Sequence, residues 1–184
     1  MIPGDERAAV PPSAGPQEFA VTRIFDAPRT LLFAAWTEQQ HLKEWFGPAG
    51  FTVPISHLNL VPGGVFHYCM RAANGIEMWG KWTFQEILPP QRLVLVNTFS
   101  NKHGNLTRHP YVPDWPLELL TAVTFSEIET MTVLNLRWSP IDPSPREQKT
   151  FNSMHEEMSQ GWNGTFNQLA TYLATLAPAN GRES

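Results

Sequence analysis

The chain has 184 residues, enough for one domain with a real core and too few for two. Charged residues make up 16% and the net charge is −4, so the composition excludes a basic surface for nucleic acid or an anionic membrane. The lone Cys69 excludes an internal disulfide framework and a cysteine-cluster zinc site, while seven Trp and eleven Phe must either fill a core or line a hollow. Residues 1–17 are rich in Pro, Gly and Ala and read as a flexible tail, as do residues 177–184. No secretion signal and no apolar run of the roughly 18 residues needed to span a bilayer occur, so a cytoplasmic protein without membrane insertion is expected.

The elements follow in chain order. Alternation over 18–25 (EFAVTRIF) predicts a strand. Asp26-Ala27-Pro28 opens a helix carrying Leu32, Phe33 and Trp36, with Pro28 in the first turn. Thr37 and Gln40 have the spacing of a capping box, which predicts a second short helix through Trp45, stopped by Gly47-Pro48-Ala49-Gly50. Strands are predicted over 51–60, 64–71, 77–88, 92–99, 118–126 and 130–138, close enough together to pair as an antiparallel meander. Residues 100–116 form a long Pro-rich loop, a length that is often functional.

Ser144-Pro145-Arg146-Glu147 combines a cap, a first-turn Pro and a Glu at the third helical position. From there Phe151, Met154, Met158, Trp162, Phe166, Leu169, Leu173 and Leu176 recur at three and four residues. That stripe predicts one helix of roughly 30 residues, about 45 Å long. Gly161 and Gly164 interrupt it and point to close packing or a kink. One apolar stripe needs one sheet face, so the sequence predicts an α+β fold with a curved sheet round the final helix.

The Ala73-Asn74-Gly75 turn sets the register. With three residues in the turn, Gly75 takes the left-handed position, and Phe66, Tyr68, Met70, Met78, Trp82 and Phe84 share the inner face. Leu134, Leu136 and Trp138 join them. The same parity puts Glu86 inside, as a polar handle for a ligand or an acid, unless a bulge near Pro89 turns it outward. Trp82, Trp138 and Trp162 are expected to meet in one interior space, Trp36 and Trp45 belong to the short helices, and Trp79 faces outward.

Several strings in this order resemble the family of homologues of the activator of the ninety-kilodalton heat-shock chaperone ATPase, within the START and Bet v 1-like (SRPBCC) superfamily. They are Ala27-Pro28 with Ala35-Trp36-Thr37, Trp45-Phe46-Gly47-Pro48, Pro62-Gly63-Gly64, Gly80-Lys81-Trp82, Glu86-Ile87 with Pro89-Pro90 and Arg92-Leu93, and Gly161-Trp162 with Leu169 and Leu173. The resemblance covers about residues 18–176. It implies a helix-grip domain over 18–176: a seven-stranded antiparallel sheet gripping a long C-terminal helix, two short helices after the first strand, and a cavity between sheet and helix. The family usually carries an acidic and then a basic residue before Pro-Gly-Gly, where this chain has Asn59 and Val61, so a salt bridge made there is missing. The eukaryotic activator has an extra N-terminal domain, whereas the fold here starts near residue 18, so stimulation of a chaperone ATPase is not expected.

Few residues stand in a pattern that carries catalytic chemistry. His155-Glu156 begins like a zinc-protease helix, but Ser159 stands where the second His is needed. His103, His109 and Asp114 share the long loop as the best metal-ligand grouping, and no metal or other cofactor is expected. Cys69 is expected to face outward beside His67, with no oxyanion hole in view. The leading reading is therefore a binding module for a small apolar or aromatic molecule. Its walls would be Phe66, Tyr68, Met70, Trp82, Phe84, Glu86, Trp138, Met158, Trp162 and Phe166. One alternative is an enzyme of the polyketide cyclase or hydrolase type using Glu86. Another is a stress-related, co-chaperone-like protein binding a partner through the loop around Tyr111 and Trp115. Monomer and homodimer are both compatible with the sequence.

Overall fold

The computed structural model describes residues 18–176, and the tails expected at 1–17 and 177–184 lie outside them. The chain runs β1 (Phe19–Phe25), α1 (Arg29–Thr37), α2 (Gln39–Trp45), β2 (Phe51–Leu58), β3 (Val65–Ala72), β4 (Glu77–Leu88), β5 (Arg92–Ser100), β6 (Leu106–Thr107), β7 (Glu118–Ile128), β8 (Met131–Pro140), α3 (Pro145–Ser153) and α4 (His155–Leu176). The main sheet has the order β1-β8-β7-β5-β4-β3-β2, all neighbours antiparallel. β1 and β2 are its two edges, so α1 and α2 carry the chain from one edge to the other. An eighth strand, β6, pairs with the end of β5 and belongs to the segment expected to be all loop.

The hairpin between β3 and β4 has the three-residue turn that the apolar pattern requires. Gly75 N–H donates to Ala72 O at 2.9 Å, Ala72 N–H donates to Ile76 O at 2.9 Å, and Gly75 takes φ +87°. Phe66 therefore pairs with Trp82, Tyr68 with Gly80 and Met70 with Met78, all on the inner face. Parity fails further along β4. Phe84 pairs with Leu95 but Glu86 pairs with Val94, so Gln85 is an extra, bulged residue. The bulge turns Glu86 out of the interior: its side chain is 48% exposed and lies 3.6 Å from Arg92.

Cys69 also departs from expectation. It sits on the outer face, as parity requires, but is fully buried, with Ile55 and Trp79 as its partners on the flanking strands. Burial pushes its thiol pKa up, and the neighbouring Glu77 carboxylate adds to the shift.

Three helix expectations are corrected. Thr37 does not cap α2; its hydroxyl donates back to Phe33 O at 2.8 Å, and Glu38 holds the N-cap position without a side-chain bond. Pro28 likewise serves as the N-cap of α1 and does not enter the helix. The final helix is two helices. Met154 leaves helical geometry (φ −105°, ψ 14°) and closes a tight turn through its N–H to Phe151 O at 3.2 Å. The break falls there and not at Gly161 or Gly164, where α4 is continuous and an added Cβ would meet nothing within 4 Å.

The Ser144 capping box forms as expected, with Ser144 N–H to Glu147 Oε2 at 2.8 Å and Glu147 N–H to Ser144 Oγ at 3.3 Å. Glu147 also receives Arg108 Nη1 at 2.7 Å, tying the long loop to α3. Those donors, Arg108 first, hold the Glu147 carboxyl down at about 2. A carboxyl depressed in the folded state stabilises the protein above its unfolded value of about 4.3 and loses that contribution as pH falls toward 2. Glu147→Gln is therefore expected to cost about 1–2 kcal/mol near pH 6 by urea unfolding. The variant should also lose less stability than wild type between pH 5 and pH 3. Equal losses over that range would refute the assignment.

Candidate ligand-binding site

The inner face of β4, β5, β7 and β8 and the start of α4 do not close on one another. Between them lies a cavity of about 300 Å³, walled also by the segment after α2 and by the end of the long loop. That volume is at the small end of small-molecule sites. Six of the seven tryptophans border it, Trp36, Trp82, Trp115, Trp138 and Trp162 from the inner side and Trp79 from the outer face, where its ring lies 5.2 Å from His67 as the strand parity predicts. Trp36 is the centre of the cluster. Trp82 stacks on one neighbouring side (5.9 Å between centroids, 17°), Trp162 on another (6.0 Å, 16°), and Trp138 meets Trp162 edge-on at 5.5 Å. The three interior tryptophans read from the strand pattern thus do meet, with Trp36 between two of them.

Of the ten wall residues expected, Tyr68, Met70, Trp82, Trp138, Met158 and Trp162 line the cavity. Phe66, Phe84 and Phe166 do not; each is 0% exposed and packed into the solid core behind it. Glu86 is at the surface. The reason is depth: β-strand parity identifies the inner face but not where along it the sheet touches the helix.

The segment after α2 is fastened to α4. Gly47 O accepts from Thr165 Oγ1 at 3.1 Å and Gln168 Nε2 at 2.6 Å. Gly47 itself has φ +116°, and an added Cβ there would stand 3.2 Å from Met70 Sδ. The long loop contributes His109 and Trp115. Trp115 is 7% exposed and packs on Phe151, so the loop does not present Tyr111 and Trp115 together to solvent as the partner-binding alternative expects. His103, His109 and Asp114 do not gather either: among the described residues no group of three or more His, Cys, Asp or Glu side chains could hold a metal.

The cavity's polar groups are few. His109 Nδ1 accepts the backbone N–H groups of Tyr111 (3.0 Å) and Val112 (3.1 Å), and burial lowers its pKa, so the ring is neutral with its proton on Nε2. Burial pushes the Tyr68 phenol well above its usual range, with a Trp82 side-chain hydrogen bond opposing the shift. Thr98 is spent on Lys81 O at 3.3 Å. Two groups of lining residues, Trp36 Nε1 and Thr121 Oγ1, are fully buried without a hydrogen bond.

A family model described as Activator of Hsp90 ATPase homolog 1-like protein matches residues 26–174. The chain belongs to this family. Its helix-grip architecture, an antiparallel sheet with a long C-terminal helix, is shared by solved structures, one of them of an AHSA1 protein. A protein from Nitrosomonas europaea is 23% identical, with a TM-score of 0.69 over 89% of this chain and 98% of that one. A solution structure from Arthrobacter aurescens is 22% identical, with a TM-score of 0.73 over 94% of each chain. The AHSA1 protein from Silicibacter pomeroyi is 19% identical, with a TM-score of 0.66 over 86% of this chain and 98% of that one. At these identities the likeness is one of fold. No curated protein matches the chain. Among the described residues, no helix is long and apolar enough to cross a membrane.

Proposed function

We propose that the protein binds a small, largely apolar molecule in the cavity between sheet and α4. The observation that carries this is the unfilled, tryptophan-lined space itself. A pocket of about 300 Å³ that opens to solvent leaves apolar ring faces without the dispersion contacts that a packed interior gives them. A flat apolar guest restores those contacts on ring faces already fixed by packing. The cyclase-type alternative loses the one acid nominated for it, because Glu86 lies outside.

The test is a titration of intrinsic tryptophan fluorescence with naphthalene and its derivatives. Saturable quenching is expected, because most of the fluorophores line the site. Gly161 is exposed at the border of the cavity, and an added Cβ there would meet nothing within 4 Å. Gly161→Trp should therefore weaken binding at least about tenfold without disturbing the core. A linear, unsaturable response in wild type would overturn the proposal, as would saturation that Gly161→Trp leaves unchanged.

A further inference from the structure

We infer that Asn97 and His109 form a polar end to the cavity, and that this end takes an uncharged head group that both accepts and donates hydrogen bonds, of the carboxamide type. This rests on the ligand-binding reading above and adds the chemistry and the orientation of the guest.

Asn97 is the one polar side chain that strand alternation puts on the inner face of β5. Leu93, Leu95, Asn97 and Phe99 share that face, and Asn97 stands between Trp82 on β4 and Leu119 on β7. Asn is a poor strand former and a costly neighbour for apolar side chains unless its amide is bonded. Among the described residues the Asn97 amide has no hydrogen-bond partner, yet it is half-buried and its polar atoms are not sealed in. Trp82 and Leu119 are 3% and 2% exposed on the same face, so the space open to the amide is the cavity it lines.

His109 stands at the same end. Its ring packs on that of Phe99 at 4.5 Å between centroids. Phe99 is two residues along β5 from Asn97, a rise of about 7 Å, which one head group and its hydrogen bonds can span. The Nδ1 edge of the ring is turned to its own loop, where it holds the Tyr111 and Val112 N–H groups. Nε2–H points away from that turn, has no partner among the described residues and is not sealed by burial. It can only donate, whereas Asn97 offers both an acceptor and a donor. A carboxamide meets both residues: its carbonyl accepts from His109 Nε2–H and its N–H donates to Asn97 Oδ1. A ketone leaves Asn97 Oδ1 unmatched, and an ammonium has no lone pair for His109. With the head at this end, the apolar body lies along Trp82, the cross-strand neighbour of Asn97.

An ionised head finds no counter-charge. Among the residues that line the cavity there is no Lys or Arg, and burial keeps His109 neutral. Glu157, exposed where α4 borders the opening, repels anions. A carboxylate would be desolvated there with a second acceptor facing Asn97 Oδ1, which costs more than one hydrogen bond returns.

2-Naphthamide, 2-acetylnaphthalene and 2-naphthoate carry heads of nearly one shape on one ring system, and 2-ethylnaphthalene reports on the apolar space alone. In wild type at pH 7 the amide should bind at least about tenfold tighter than the carboxylate. Asn97→Leu keeps the side-chain size and breaks no hydrogen bond printed by the fold. It should shift the ratio of amide to ketone dissociation constants against the amide by about fivefold, which is one net hydrogen bond. His109→Asn retains a side-chain acceptor for the Tyr111 and Val112 N–H groups and draws the donor back from the cavity. It should weaken amide and ketone by about fivefold relative to 2-ethylnaphthalene. Asn97→Leu carries the test alone if His109→Asn does not fold. An amide-to-ketone ratio unchanged in Asn97→Leu would overturn the inference while ligand binding stands. Naphthoate binding as tightly as the amide would overturn it too, as would carbonyl probes indifferent to a folded His109→Asn. No binding of any probe to wild type would remove the ligand-binding reading itself.

Discussion

Trp36→Ala is expected to destabilise the protein by about 3–5 kcal/mol, a large part of the roughly 5–15 kcal/mol that holds a domain folded. The side chain is 0% exposed and touches Trp45 at 5.1 Å, Trp82 at 5.9 Å, Trp162 at 6.0 Å and Phe125 at 6.3 Å. It is the one ring that joins α1, α4 and the two halves of the sheet. Truncation merges its volume with the neighbouring cavity, so the surrounding rings have no rigid wall to collapse onto, and the cost falls at the upper end of the usual range. Trp36→Phe should cost under about 2 kcal/mol, because it keeps a ring in the stack and deletes a donor that has no partner in the fold. Urea unfolding of the two variants measures both numbers. A Trp36→Ala penalty under about 1 kcal/mol would mean that the stack is not the centre of the core.

How much of this was readable from the residues varies by element. The turn at Ala73-Asn74-Gly75 fixed a register because only one turn length segregates Phe66, Tyr68 and Met70 from the polar residues opposite, and the structure has that length. The bulge that turns Glu86 outward is legible only as an alternative and not as a position, since a bulge adds one residue without changing local composition, and the structure places it at Gln85. The break at Met154 was masked by the apolar stripe, which runs unbroken through the turn because Phe151 and Met158 are buried on both sides of it. The cavity was legible as a set of inward faces but not as a depth. The sequence places Trp36 on a short helix, and nothing in its neighbours says that it reaches between Trp82 and Trp162. His109 and Trp115 line the site from a loop whose path depends on tertiary contacts, including Lys81 Nζ to Gly104 O at 2.9 Å. The unusual length of that loop was the one signal that pointed there.

Gly80→Ala should destabilise the protein by about 1–3 kcal/mol and weaken ligand binding, although strand glycines ordinarily gain from the change. Tyr68 is the cross-strand partner of Gly80, and its ring lies over the glycine. A Cβ on residue 80 would stand 2.5 Å from Tyr68 Cζ and 2.8 Å from Cε2, closer than real Cβ contacts come. The ring has little freedom to yield, because Phe66 stacks on it at 4.9 Å and Phe46 meets it edge-on at 5.0 Å. Its free side is the cavity, which it already lines. Relief of the clash therefore pushes the phenol into the space that the ligand needs. A double-mutant cycle isolates the cause. In a Tyr68→Leu background the obstructing ring atoms are gone, and Gly80→Ala should become neutral or stabilise by up to about 1 kcal/mol, the entropy advantage of Ala over Gly in a strand. The reversal of sign between the two backgrounds is the decisive observation. If Gly80→Ala costs the same in the Tyr68→Leu background as in wild type, the glycine is required by its backbone and not by the ring above it.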